Sequence, residues 1–235
     1  MREFPQGKAT VVLAHGAWAD GSSWRKVIAG LRSRGVPAVA APLPLTSLAD
    51  DVAALDRVLE RTDTPVILVG HAYAGAVIAS TNVPKVAALV YVAALAPEEG
   101  ETVADVFYRA EPHAKAPQLV PDHHGFIWLP EEAFAVAFAQ HASPQEQEYL
   151  AAVQRPLAVA SISVAVPRPA WKDRPSWFLV AEEDRMIPAQ TQRFMAERMK
   201  ARLRLRPADH MPMLTDSSAV VDIVMEAVGE VAADR

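Results

Sequence analysis

A chain of 235 residues that is 51% hydrophobic can bury one sizeable core, and its formal net charge of −5, with no long run of Lys or Arg, excludes nucleic acid as the expected partner. With no cysteine, disulfides, thiolate nucleophiles and cysteine-held metals are excluded too, so any chemistry must come from other side chains. No apolar stretch approaches the ~20 residues that cross a bilayer, and Met1 to Lys8 lacks an apolar signal core; the expectation is a cytoplasmic protein with no membrane partner, although a leader already removed would leave no trace.

The first half alternates strand and helix signals. Thr10 to Ala14 is a β-branched apolar strand, and Ser22 to Arg34 reads as a helix capped by Ser22 or Ser23. Ala38 to Ala41 is the next strand, closed by Pro42 and Pro44, and Leu48 to Arg61 is an amphipathic helix. Pro65 to Gly70 is short and wholly apolar, as a central parallel strand should be. A tight turn, Gly70 to Gly75, leads into a helix at Ala76 to Thr81, and Val86 to Ala93 is another buried strand. From 97 to 174 the rhythm breaks into proline-punctuated pieces with helical patterns at Pro130 to Gln140 and Pro144 to Val153, which reads as a cap inserted into the sheet. The alternation resumes with a strand at Ser176 to Ala181, a helix at Pro188 to Met199, a strand at Arg202 to Arg206 and a final helix at about Ser217 to Ala232. The expected fold is α/β, a mostly parallel sheet flanked by helices, with 1–96 and 175–235 forming one core and 97–174 the helical cap.

The turn Gly70-His71-Ala72-Tyr73-Ala74-Gly75 joins an apolar strand to a helix, the context in which a nucleophile sits at a strained elbow. Position 72 is where Ser, Cys or Asp would stand, and alanine has no lone pair with which to attack. Asp184 follows one strand and His210 another, so both fall at the carboxyl edge of the sheet, where ligands of open α/β sheets bind. The chain order elbow, acid, histidine matches a hydrolytic set in which His210 moves the proton and Asp184 fixes its tautomer. Glu183 and Asp209 are the neighbouring carboxylates that compete for the acid's role; Asp184 is preferred over Glu183 on side-chain direction. After the first strand, His15-Gly16-Ala17-Trp18 offers backbone donors, and the N–H groups of Ala17 and Tyr73 are the candidates for an oxyanion hole, each such donor being worth ~3 kcal/mol of barrier.

In these segments, with Glu183-Asp184-Arg185-Met186-Ile187-Pro188 and Ala208-Asp209-His210-Met211-Pro212-Met213-Leu214, the chain resembles the α/β-hydrolase subfamily that holds plant methyl-ester esterases, hydroxynitrile lyases and their bacterial relatives. The resemblance spans essentially the whole sequence and implies the α/β-hydrolase fold and Ser-His-Asp chemistry; the family's serine is replaced here by Ala72. The lyases carry Thr where this chain has Gly16 and Lys where it has Met211, so an ester hydrolase, a carboxylesterase or lactonase for small carboxylic esters, is implied rather than a lyase. No cofactor or metal is expected, and His113, His123 and His124 lack a carboxylate pattern that would make them ligands. Substrate contacts are expected from Gly16, Trp18, Phe107, Trp128 and Met211, with Tyr108, Phe126, Phe134 and Phe138 as further aromatic candidates in the cap. The intact acid, histidine and donor positions favour a substrate-trapping Ser→Ala variant of a working esterase. The alternatives are a natural ligand-binding relative and a cofactor-free lyase using His210 as base. The partner is a small-molecule ester, and a homodimer is left open.

Overall fold

The computed structural model describes residues 9–233, so the expectation for Met1 to Lys8 lies outside them. Six strands form one parallel sheet in the order β2-β1-β3-β4-β7-β8: β1 Thr10–Ala14, β2 Ala38–Ala41, β3 Val66–His71, β4 Val86–Val92, β7 Ser176–Ala181 and β8 Arg202–Arg206. Between β4 and β7, β5 Phe126–Ile127 and β6 Leu157–Ala158 make a small antiparallel pair. Every residue of β3 is buried, because helices cover both faces of a parallel sheet and leave no side for polar groups. Chain order reverses around β1, with β2 on one side of it and β3 on the other. Ala14 and Gly70 are register partners, so the loops leaving β1 and β3 emerge side by side at the carboxyl edge, where such a reversal opens a crevice.

The helices are α1 Arg25–Ser33, α2 Leu48–Glu60, α3 Ala74–Ser80, α4 Val103–Phe107, α5 Glu131–Ala133, α6 Pro144–Val153, α7 Ala189–Arg198, α8 Pro212–Thr215 and α9 Ser217–Ala233. Helix α1 packs on α9, where a Cβ at Gly30 would stand 2.8 Å from Val221 Cγ2. Helix α2 begins on the Ser47 hydroxyl, which accepts from Asp50 N at 3.0 Å, and Asp50 and Asp51 in its first turn complement the helix dipole. The first helix departs from expectation. Asp20, rather than either serine, captures the Ser22 N–H at 2.8 Å, and a 3-10 turn at Gly21–Trp24 precedes α1, because a carboxylate is the stronger acceptor for the free amides of a helix start. None of the described helices is long and apolar enough to cross a membrane.

The stretch between β4 and β7 is built from short pieces. A Thr102/Asp105 capping box starts α4, and a Ser143/Glu146 box starts α6. The pattern at Pro130 to Gln140 becomes α5 followed by a single π turn at Phe134–Phe138. Phe134, Phe138, Leu150 and Leu157 join the same buried cluster as the sheet residues Leu13, Leu68 and Phe178.

Candidate active site

At the end of β3 the chain turns sharply. Ala72 has φ +49°, a left-handed conformation that costs about 1 kcal/mol or more for a residue with a Cβ, and surrounding bonds hold it there. Its N–H donates to Val92 O at 3.3 Å, and its carbonyl accepts from Gly75 N at 3.0 Å and Leu95 N at 2.9 Å. Glycine is required at 75 because a Cβ there would lie 2.3 Å from the Leu95 carbonyl oxygen, a backbone atom that cannot step aside. Gly75→Ala is therefore expected to destabilise the fold by about 3 kcal/mol, read as a lower urea midpoint at unchanged m-value; a loss under about 0.5 kcal/mol would contradict that contact.

His210, between β8 and α8, is buried, and its Nδ1 donates to Asp184 Oδ2 at 2.8 Å. Asp184 is itself fixed. Its Oδ1 accepts the N–H groups of Met186 at 2.8 Å and Ile187 at 2.9 Å, and Gln192 Nε2 from α7 donates to Oδ2 at 2.8 Å. Since the carboxylate only accepts, the proton on the imidazole sits on Nδ1 and leaves Nε2 as the basic nitrogen. The two neighbouring carboxylates are engaged elsewhere. Asp209 accepts from His141 N at 2.9 Å, Met211 N at 3.1 Å and Thr215 Oγ1 at 2.7 Å, while the half-exposed Glu183 pairs with His141 Nε2 at 3.1 Å.

Two further histidines stiffen the floor. His71 Nε2 donates to the His210 backbone carbonyl at 2.7 Å, and burial, reinforced by the His210 ring nearby, holds its pKa well below the usual value. His15 Nδ1 donates to Gly16 O at 3.0 Å while Nε2 accepts from Leu43 N at 3.2 Å, which fixes a neutral tautomer. Burial holds its pKa down, at about 4, with Arg155 lowering it further and Asp20 and the Gly16 carbonyl opposing. A histidine neutral when folded but protonated when unfolded costs stability as pH falls below 6.5, because the unfolded chain then binds more protons. His15 alone should remove about 3 kcal/mol between pH 6.5 and 4, with His71 adding in the same direction. Urea titrations at both pH values should show the loss, smaller in His15→Gln; an equal loss in the variant would reject His15 as a source.

Gly16 lies against the elbow, where a Cβ would stand 2.8 Å from Ala72 Cβ and 2.9 Å from His71 Nδ1. Trp18, at φ +56°, ties this loop to distant chain: its N–H donates to Arg155 O at 3.0 Å and its indole to Ile127 O at 2.9 Å. On the other side, the Tyr73 hydroxyl donates to Asp51 Oδ2 at 2.6 Å, and Asp51 Oδ1 accepts from Leu45 N at 2.7 Å. Both partners are buried, and burial raises the pKa of each. Asp51 escaped the sequence reading because a carboxylate in a first helical turn ordinarily serves the dipole in solvent.

Ala72, His210, Ala17, Trp18, Tyr73 and Phe107 border one cavity of about 40 Å³. Asp184 stands behind the imidazole, and Phe138 packs against both His210 and Trp18, with ring centroids 5.3 Å and 6.3 Å away. Met211 is buried with its N–H on Asp209, so it serves the loop and not the cavity wall. Trp128 corrects an expectation. It is 51% exposed, with its indole N–H 3.3 Å from Asp122 Oδ2, because Ile127 takes the inward direction and the next side chain must point outward. Tyr108 lies at the cavity margin, Phe134 is in the core, and Phe126 is half-buried; Phe134 and Phe126 do not line the cavity, whereas the aliphatic Leu157, Ile162, Leu119 and Val103, which carried no periodic signal, do. His113, His123 and His124 are exposed.

A family model described as the α/β hydrolase family matches residues 11–223. The chain belongs to that family. It is 22% identical, over 95% of its own length and 98% of the relative's, to the α/β hydrolase nvfD of Aspergillus novofumigatus (strain IBT 16806). It is 32% identical to a carbendazim hydrolyzing esterase from Nocardioides sp. (strain SG-4G), over 49% of this chain and 54% of that one. Among solved structures, a pyrethroid hydrolase from Sphingobium faniae JZ-2 superposes with a TM-score of 0.78 at 19% identity, covering 94% of this chain and 98% of the other, which shows a shared fold.

Proposed function

We propose that this α/β-hydrolase acts on small carboxylic esters or lactones by Ser-His-Asp chemistry, and that the present chain is its inactive, substrate-trapping form because Ala72 occupies the nucleophile's place. The observation that carries this reading is the shared cavity: the side chain of position 72 and the His210 ring border the same space, and Asp184 holds Nδ1 from behind at 2.8 Å. With a serine hydroxyl at 72, His210 Nε2 takes its proton as the oxygen attacks the substrate carbonyl carbon. Negative charge then develops on the carbonyl oxygen, which the N–H groups of Ala17 and Tyr73 receive; fixed donors need no reorganisation at that moment. His210 next gives the proton to the alcohol oxygen, the C–O bond breaks, and water repeats the sequence to release the acid. The stretch between β4 and β7 acts as the cap that keeps water out. The test is Ala72→Ser with p-nitrophenyl esters: turnover that appears with the hydroxyl supports the reading, and a folded variant without turnover overturns it in favour of a ligand-binding role.

A further inference from the structure

A second and larger hollow of about 390 Å³ adjoins the cavity over Ala72. The two share four walls, Phe107, Tyr108, Leu119 and Met186. Beyond this neck the outer chamber is lined by prolines and small or apolar groups, with Gln118 its polar side chain, and Val120 at its mouth is 69% exposed. Among the described residues no Asp, Glu, Lys or Arg lines either chamber, and the nearby Arg109 is turned onto the Phe194 ring, 3.6 Å from its centroid. An ionised group entering there would lose its hydration with nothing to replace it.

The two chambers are also oriented. Met186 belongs to the loop whose N–H holds Asp184 Oδ1 at 2.8 Å, and Pro188, two residues on, lines the outer chamber. Ala17, Trp18, Ala72, Tyr73 and His210 all border the inner cavity alone, so what reaches the outer chamber from the site is the loop that fixes Asp184. Because Asp184 in turn holds the His210 ring, the outer chamber lies on the side of the site from which the imidazole is supported, and the Ala17 and Tyr73 loops do not reach it. In ester cleavage the imidazole protonates the alcohol oxygen, so the group on its side is the alcohol. The inner cavity, with room for about three water-sized groups at ~10–15 Å³ each, suits an acyl chain of about two to four carbons.

Resting on the hydrolytic reading above, we infer that the site takes uncharged esters of a short acid and a bulky apolar alcohol, with the alcohol group seated in the chamber behind Phe107, Tyr108, Leu119 and Met186. The present chain cannot consume such a ligand, so its affinity can be measured directly by isothermal titration. 1-Naphthyl acetate should bind about tenfold more tightly than its reversed counterpart, methyl 1-naphthoate. 4-Acetoxybenzoate, which carries a carboxylate on the alcohol side, should bind at least a hundredfold more weakly than phenyl acetate. Leu119→Trp, which narrows the neck but also borders the inner cavity, should weaken 1-naphthyl acetate at least tenfold more than it weakens ethyl acetate. Val120→Trp, at an exposed position that tolerates a larger side chain, should reproduce that selective loss in milder form. Equal or reversed affinities for the two naphthyl esters, tight binding of the carboxylate, or equal losses for large and small esters in both variants would overturn the inference. These affinities do not depend on turnover: an inactive Ala72→Ser protein whose parent still shows the expected order would reject hydrolysis alone, while a working serine form with the opposite order would reject this assignment alone.

Discussion

Ala72→Ser is expected to raise p-nitrophenyl ester turnover from about the uncatalysed rate to a kcat of roughly 1–10³ s⁻¹. The backbone needs no adjustment, since position 72 already holds φ +49° and its N–H and carbonyl keep the partners that fix the elbow. The change adds one oxygen at a side chain that already borders the cavity, so stability should move by less than about 0.5 kcal/mol. Removing the nucleophile from a set that works as a unit costs about 10⁶ in kcat, and restoring it should return a factor of that order. Stopped-flow release of p-nitrophenol should show a burst near one equivalent per chain, and mass spectrometry should find the acyl group on residue 72. Turnover by the Ala72 chain at a rate matching the serine variant would instead favour a His210-only base mechanism.

Asp184→Asn in the Ala72→Ser background is expected to lower kcat about 10⁴-fold with KM changed by less than about threefold. The carboxylate oxygen facing His210 accepts from Nδ1 at 2.8 Å; an amide nitrogen at that place donates instead, and the ring must move its proton to Nε2. The nitrogen that should receive the serine proton is then occupied, a loss of the size known when the equivalent Asp→Asn change is made in a serine protease. The amide oxygen can still accept the Met186 and Ile187 N–H groups that hold the loop, whereas Gln192 Nε2 loses its acceptor at Oδ2, so the fold should hold at a cost of about 1–3 kcal/mol. Nitrogen-15 spectra of the imidazole in the Ala72 chain read the tautomer without any turnover. A loss under tenfold, or an unmoved proton, would remove Asp184 from this role.

Much of the sheet was legible because each parallel strand is specified locally. A fully buried strand such as β3 must be apolar on both faces, and a loop at its carboxyl end must be tight, so a strand at Pro65 to Gly70, found at Val66–His71, and the elbow follow from a dozen residues. The chain order of elbow, acid and histidine pointed to Ala72, Asp184 and His210, and the fold places Ala72 and His210 on one cavity with Asp184 bonded to the imidazole. The stretch between β4 and β7 was less legible. Its strands are two residues long and α4 five, lengths that exist only through contacts with the core and leave no period to detect. Trp128 illustrates the cost. Large aromatic side chains suggest a pocket, but direction along a strand decides which one enters it, and direction depends on a pairing between Ile127 and Leu157 that spans thirty residues of chain. The Tyr73–Asp51 pair was missed for a related reason, since nothing local announces that the start of α2 lies under the elbow.

The bond from His71 to the backbone of His210 joins residues 139 positions apart. During synthesis β1 to β4 can pair as soon as they emerge, yet the acceptor for His71 is translated 139 residues later. A nascent protein stopped before residue 210 holds the elbow without the ring that serves it, and a buried imidazole without its acceptor. Maturation of the crevice is thereby coupled to docking of α8 and α9, so truncations that remove residues 210–233 should forfeit ligand binding well before they abolish secondary structure.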